Sequence, residues 1–456
     1  MVRHTLSQPM SLMVQHALIG PGITVFDYGC GQGDDLRALT AAGIESSGWD
    51  PHFASDAPLR EAHVVNLGFV LNVIEDAAER RIALASAWRL ARSQLIVSTM
   101  VMGQVPTDGL TPFRDGFLTS RGTFQKYFSQ AELRALVSEI TGVEPVAAAN
   151  GIFIAFRHDE DQEEFLLRRR MGRRLSTEGY RAPRTRRTGS ARAELVERLA
   201  PLLAELADLV VLRGRMPAPE EIPSGVLAQL DESRVSVRRA LDLAMNLLPV
   251  GEFDKAAAAM HEDLLVHYAL ARLNGSRTAQ CPSPSMVRDI RAHFGSQREL
   301  TRAAGEYLMQ LADEGAIREA IVDTARQGNG AIDHRGRLLF DAAQSESLPG
   351  LLRTYLGCAA YLAGEPNDQS VVRIDVLRRS VAYLAMEDRK ASFPVMTGIT
   401  QIDLKRQDVR SFPTRRLLLA KSAVLNKSSR AQRQREQRWR SERGIEENRL
   451  MIRIEN

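Results

Sequence analysis

The stretch that most constrains this chain is VFDYGCGQGDD, residues 25 to 35. An apolar run enters a turn in which Gly29, Gly31 and Gly33 alternate with other residues, and helix-forming sequence follows. That order marks a strand-turn-helix unit whose turn lies close to a ligand. A dinucleotide site usually reads G-x-G-x-x-G and leaves the helix N-terminus to a pyrophosphate. Here Asp27, Asp34 and Asp35 flank the glycines, and carboxylates a few ångströms from a pyrophosphate repel it. The Gly-Lys-Ser/Thr ending of a phosphate loop is absent. The acids suit a ligand with a cationic sulfonium and an ammonium group, which describes S-adenosylmethionine.

Further along, GWDP places Asp50 seventeen residues after Gly33. An α/β nucleotide site puts a carboxylate there to accept two ribose hydroxyls. HVVNLGFVLNVIED then reads as an apolar strand whose tip, from Asn66 to Phe69, lies beside the methyl donor. The expected cofactor residues are therefore Asp27, Tyr28, Gly29, Cys30, Gly31, Gly33, Asp50, Pro51, Asn66 and Leu67. Asp34 is also suited simply to a helix first turn.

Strand-like and helix-like stretches alternate over residues 1–157, which implies a doubly wound α/β sheet. Ser129 is placed to cap the helix SQAELRALVSEIT. Residues 158–190 turn charged and Arg-rich with Gly and Pro breakers, as in a linker or arm. Residues 191–327 read as helical, with Leu195, Leu199, Leu202, Leu206 and Leu209 on one face. Over residues 328–425 short strands return: SVVRIDV and SVAYLAM form a hairpin around Arg378 and Arg379, and TQIDLKRQDVRSF reads as an edge hairpin. Residues 426–456 form a basic tail, read as a basic helix or a disordered arm. A chain of 456 residues accommodates this division. The expected fold is thus a Rossmann-like domain, then a helical domain and a small α/β domain.

Net charge is only +4, but it is unevenly spread. Ten Arg face one acid between Phe165 and Arg192, and seven Lys or Arg face two acids between Asn426 and Arg443. Arg168, Arg169, Arg170, Arg173 and Arg174 are the candidates for phosphate contacts, and a solvated arm explains them equally. Cys30, Cys281 and Cys358 form neither a metal spacing nor a disulfide framework, which suits a reducing cytoplasm. No apolar run reaches the roughly 18 residues of a membrane span. No metal site is expected: His261 and His267 lie six apart and do not share a helix face.

The run VFDYGCGQGDDLRAL, with GIESSGWDP, VVNLGFVLNVIEDAAER, GFLTSRGTFQKYFSQAEL and GIFIAFR, resembles the methyltransferases associated with bacterial DNA phosphorothioation. RGRMPAPEEI, HEDLLVHYALARLNG, VRDIRAHFGS and LPGLLRTYLGCAAYL extend the resemblance over most of the chain. It implies a class I S-adenosylmethionine-dependent methyltransferase fold and an acceptor that is DNA or a protein of that DNA-modification system. Two departures stand out. His63 occupies a position where many class I enzymes carry an acid, and only thirteen residues separate Asp50 from Val64, so the usual third strand is shortened.

The catalytic group is not legible. The Asp/Asn-Pro-Pro-aromatic tetrad of DNA amino-methyltransferases is replaced by NLGF, and no Pro-Cys nucleophile stands in the first domain. Tyr28, His52, His63 and Tyr127 are bases by type only. FQKYF reads either as a base-stacking platform or as packed core. A non-catalytic accessory protein that keeps the cofactor fold is the alternative expectation.

Overall fold

The computed structural model describes residues 6–104, 107, 109–170, 191–273, 282–425 and 430–454. The chain divides into two units. Residues 1–165 and 313–456 form the first, and residues 166–312 the second.

The first unit opens with α1 (Gln8–Gln15), β1 (Val25–Tyr28), α2 (Asp34–Ala41), β2 (Ser46–Trp49), β3 (Ala62–Gly68), α3 (Ala77–Leu90) and β4 (Ala91–Ser98). A small antiparallel sheet of β5 (Thr111–Phe113), β6 (Gly116–Leu118) and β7 (Phe124–Gln125) follows. Then come α4 (Gln130–Thr141), β8 (Val146–Ala149), β9 (Ile152–Phe156) and α5 (Asp159–Arg170). Local chemistry sets several boundaries. Asp76 caps α3 through the N–H groups of Ala78 and Glu79. Ser129 and Glu132 form a reciprocal capping box on α4, and Gly142 ends that helix at φ 72°.

The main sheet has the order β2-β1-β3-β4-β9-β8. β2, β1, β3 and β4 run parallel, and β9 is antiparallel to both β4 and β8. The chain leaves β1 to one side for β2 and to the other for β3. That reversal opens a crevice outside the carboxyl ends of β1 and β3, where an open α/β sheet takes its ligand. β2 is the sheet edge, and residues 51–61 add no strand to it. Phe26, Tyr28, Val65 and Leu67 face a core shared with α3 and α4. Asp27 and Asn66 alternate with them and face the opposite side.

The second unit is helical: α6 (Ala191–Arg198), α7 (Ala200–Arg213), α8 (Ser224–Glu232), α9 (Val237–Met245), α10 (Glu252–Leu273), α11 (Pro284–Phe294) and α12 (Gln297–Ala312). Leu199, Leu202 and Leu206 are buried in its core, with Leu195 and Leu209 packed against them. The Pro-rich break after α7 is braced by a buried ion cluster. Arg215 donates to Asp289 Oδ1 at 2.7 Å and to Glu221 Oε1 at 2.7 Å, and Ser285 donates to the same Glu221 oxygen at 2.6 Å. His261 stacks on Phe294, and His267 is buried beside Tyr268.

Residues 313–456 return to the first unit with α13 (Glu314–Arg326), β10 (Ala331–Ile332), β11 (Leu338–Asp341), α14 (Gly350–Ala363), β12 (Val371–Asp375), β13 (Ser380–Met386), β14 (Val395–Asp403), β15 (Asp408–Leu418), α15 (Lys421–Val424), α16 (Arg430–Ser441) and β16 (Met451–Arg453). β10 to β16 form one antiparallel sheet in chain order. The hairpin at Arg378 and Arg379 forms as expected, with Arg379 at φ 48°.

Four expectations are redrawn here. The helical region ends at Ala312, because α13 packs on α14 and β10 of the first unit. Residues 159–170 are helical rather than linker, since Phe165 buries its ring against Phe156 and His16; residues 171–190 lie outside the described ones. The β14–β15 hairpin is interior, because β16 pairs with β15. The basic tail is folded from 430 to 454. Buried Glu436 accepts from the Ser422 N–H at 3.0 Å, Arg440 donates to the carbonyls of Glu446 and Glu447, and Trp439 packs on Phe393.

Candidate functional site

β1 delivers Asp27 to the crevice, turns Tyr28 into the core and then passes into the glycine loop. Gly29, Gly31 and Gly33 have φ of 86°, 53° and 76°, a region that only glycine enters freely. Their roles differ. A Cβ on Gly29 would lie 2.3 Å from Val70 Cγ2, so this glycine admits the chain that follows β3. A Cβ on Gly31 would meet nothing within 4 Å, so this backbone borders open space. Gly33 is the N-cap of α2, and its N–H donates to the Cys30 carbonyl at 2.9 Å.

Beneath the loop, Asp27 and Asn66 are buried to 4% and 2% exposure. They are register partners in the β1–β3 pair, and Asn66 Nδ2 donates to Asp27 Oδ1 at 2.8 Å. Asn66 Oδ1 is buried without a hydrogen-bond partner. A buried orphan acceptor costs free energy unless a ligand or water supplies a donor. The Cys30 thiol is pushed up to about 11, first by burial and then by the Asp27 and Asp50 carboxylates. It stays neutral and is no nucleophile, and its shift reports a negative field inside the loop.

Asp50 holds the loop in place. Its Oδ2 accepts the Gly31 N–H at 3.0 Å, and its Oδ1 accepts those of His52 and Phe53 at 2.8 and 3.0 Å. Burial alone would raise its pKa, yet the three backbone donors outweigh it and hold the carboxyl below its ordinary value. The carboxylate expected to receive two ribose hydroxyls thus has three backbone partners already. Pro51, His52 and Phe53 form an exposed turn at this end of β2.

Other expected residues sit elsewhere. Leu67 is fully buried in the main core and backs the site from behind. Tyr28 belongs to the same core and packs on Trp49. Asp34 pairs with Arg37. Asp35 is buried and accepts the Ser7 N–H at 2.7 Å, which anchors the start of α1. The negative field of the crevice therefore comes from Asp27 and Asp50 rather than from all the flanking acids. His63 meets Thr24 at the far end of β1, away from the loop. Tyr127, Phe124 and Phe128 are buried, and Lys126 pairs with Asp115 and Glu132. FQKYF is therefore core, not a stacking platform. Arg168, Arg169 and Arg170 end α5, while Arg173 and Arg174 lie outside the described residues.

Three features carried no clear sequence signal. Phe69 is left-handed at φ 58°, held by its N–H to the Ser98 carbonyl at 2.9 Å, and its side chain is 39% exposed at the crevice. Val70 fills the space that Gly29 leaves. A cavity of about 700 Å³ also opens at the same edge of the sheet, between α1, the β8–β9 turn and strands β14 and β15. Asn150 Nδ2 donates there to Ser411 Oγ at 2.9 Å, and Thr400 Oγ1 lies 3.1 Å from that hydroxyl. Asn150 Oδ1 has no partner. Among the described residues neither Lys nor Arg lines this cavity. Four strand steps separate β1 from β8, about 19 Å at roughly 4.8 Å per step.

No protein-family model and no curated protein sequence matches the chain. Among the described residues no helix is long and apolar enough to cross a membrane. Solved structures similar to part of the chain include the sugar N-methyltransferase KedS8 from Streptoalloteichus, at 15% identity over 33% of this chain and 87% of that one, with a TM-score of 0.26. Magnesium protoporphyrin IX methyltransferase from Synechocystis, solved with S-adenosylmethionine bound, gives 18% identity over 33% and 76%, with a TM-score of 0.23. The amino pentose methyltransferase CalS10 from Micromonospora echinaspora, also with S-adenosylmethionine bound, gives 14% identity over 33% and 90%, with a TM-score of 0.25.

Proposed function

We propose that the chain is an S-adenosylmethionine-dependent methyltransferase. The observation that carries this reading is the buried Asp27–Asn66 pair beneath the glycine loop, at the point where the strand order reverses. A carboxylate and an orphan acceptor in a negative crevice favour a cationic ligand and disfavour a pyrophosphate. The residues fit the cofactor in two ways: Gly31 leaves backbone bordering open space, and Asn66 Oδ1 lacks a donor. When bound, the cofactor supplies an electrophilic methyl group. The chain's part is to hold it and to align an acceptor atom within about 3–3.5 Å of that methyl.

The resemblance to phosphorothioation-associated methyltransferases supports an acceptor that is DNA or a component of that system. The amide and hydroxyl groups of the cavity, with Glu365 and Asp368 also on its wall, would serve a remote part of the acceptor that carries no phosphate, since binding far from the reacting atom helps to position it. A second reading, a non-catalytic accessory protein that senses the cofactor, is favoured by the placement of the candidate bases. His63 lies at the wrong end of the sheet and Tyr127 is buried. Incubation with labelled S-adenosylmethionine and a panel of DNA, phosphorothioate DNA and partner proteins separates the two. Label transfer that Gly31→Val abolishes supports the enzyme. Cofactor binding without transfer to any acceptor supports the accessory role.

A further inference from the structure

The seven-stranded sheet gathers arginines that the cofactor site does not use. Arg416 and Arg453 stand directly opposite each other on β15 and β16. Like charges facing across a strand pair destabilise it. Arg373 on β12 is only 9% exposed and donates to the neutral Gln401 amide at 3.0 Å. The two meet across Ala382, which is register partner to both. Arg335 and Arg337 come from the β10–β11 turn, which reaches the approach to β16 through the His334 N–H on the Asn448 carbonyl at 3.0 Å.

Among the described residues the counter-charge is insufficient. Asp333 is engaged by the Arg337 guanidinium and by the N–H groups of Arg335 and Arg337. Asp375 accepts the Arg378 N–H at 3.1 Å. Arg373, Arg416 and Arg453 form no ion pair with a carboxylate among the described residues. Burial first, and then Arg337 and Arg416, push the Arg373 guanidinium down to about 10. Arg416 is pushed down by burial and by Arg337, Arg453 and Arg335. Arg373 and Arg416 remain charged at neutral pH, so partly desolvated positive charge is held together at a cost.

We propose that this cluster is an anion site that takes a phosphate group, independent of the methyl-transfer reading. A guanidinium offers a planar fork that matches phosphate oxygens two at a time. Several such forks converge here from β12, β15, β16 and the β10–β11 turn. A bound phosphate supplies the missing charge and relieves the Arg416–Arg453 repulsion. The group could arrive free or on a nucleic-acid backbone, and the two sources differ in salt dependence and length dependence.

Thermal unfolding and calorimetry of the full chain test this with inorganic phosphate, pyrophosphate and a 20-base-pair duplex as probes. Phosphate or pyrophosphate should raise the melting temperature of the wild type. Arg416→Met and Arg373→Met should each weaken binding by about tenfold or more. Without anion, Arg416→Met should melt no lower than the wild type, because it removes a repulsion. Arg302→Met is the control: this exposed residue of the helical unit pairs with Glu299 and Glu306, so its loss should leave affinity unchanged. Binding of the duplex far above equimolar free phosphate, with a steep salt slope, would assign the site to nucleic acid. Equal response to free phosphate would assign it to a small phosphate ligand. Absence of any response to all three probes, or equal binding by wild type, Arg373→Met and Arg416→Met, would overturn the proposal.

Discussion

Asn66 stands opposite Asp27 across the β1–β3 pair and donates to it from Nδ2 at 2.8 Å, while its own Oδ1 has no partner. The neutral amide steadies the buried carboxylate, and Asp27 and Asp50 both act as negative charges on the Cys30 thiol. The crevice therefore keeps a negative field, and an acceptor waits there for a donor.

That charge gives the first prediction. Asp27→Asn should weaken S-adenosylmethionine more than S-adenosylhomocysteine, because only the former carries a sulfonium. The loss for S-adenosylmethionine should be about 1.5–3 kcal/mol, the scale of a hydrogen bond to a charged group. Calorimetry with both ligands measures it, and an equal loss for the two would remove the sulfonium from the account of Asp27.

The glycines should separate by role. A Cβ at Gly31 meets no protein atom within 4 Å, so Gly31→Val should abolish cofactor binding while costing only about 1–2 kcal/mol of stability from its left-handed backbone. Gly29→Val strikes Val70 and should lower stability further, with or without ligand. Melting curves and binding isotherms of both variants check this. A similar large stability loss in each would show that Gly31 also serves packing.

Asp50 is expected to act as a brace. Asp50→Ala removes the acceptor of three N–H groups and should both destabilise the fold and weaken binding, by about 1–3 kcal/mol in stability. The carboxyl is lowered in the folded state, so its contribution is fully present above the unfolded value of about 3.9 and is lost as pH falls through the folded value. The stability gap between wild type and Asp50→Ala should therefore close in acid. A gap that does not narrow at all as pH falls below the unfolded value of about 3.9 would contradict the bracing role.

In the helical unit, Arg215 holds two buried carboxylates, those of Asp289 and Glu221. Arg215→Met leaves both without their main partner and should cost about 3–5 kcal/mol, the scale of breaking a buried ion pair from one side. Denaturant unfolding of the variant reads it directly. A loss below about 1 kcal/mol would mean that the cluster is solvated.

Much of the first sheet was legible because β1, β3, β4 and β9 carry apolar runs bounded by turn residues, and α3 and α4 carry caps. Ser129 with Glu132 and the left-handed Gly142 are local signals. The roles of the acids were not legible. Asp35 is spent on a backbone N–H 28 residues earlier, and Asp50 on backbone donors of its own turn and of the glycine loop, contacts that no periodicity reveals. The tail was read as a basic helix or a disordered arm; the helix forms, but its docking was not legible for another reason. α16 is almost wholly polar, and it docks through Glu436, Arg440 and Trp439 rather than through an apolar stripe.

The central claim is that the crevice above Asp27 and Asn66 holds S-adenosylmethionine, and titration calorimetry tests it most directly. Wild type should bind S-adenosylhomocysteine at one site, Gly31→Val should not, and NADH should show no heat with either. Binding of NADH in place of S-adenosylhomocysteine, or equal binding of S-adenosylhomocysteine by wild type and Gly31→Val, would contradict it.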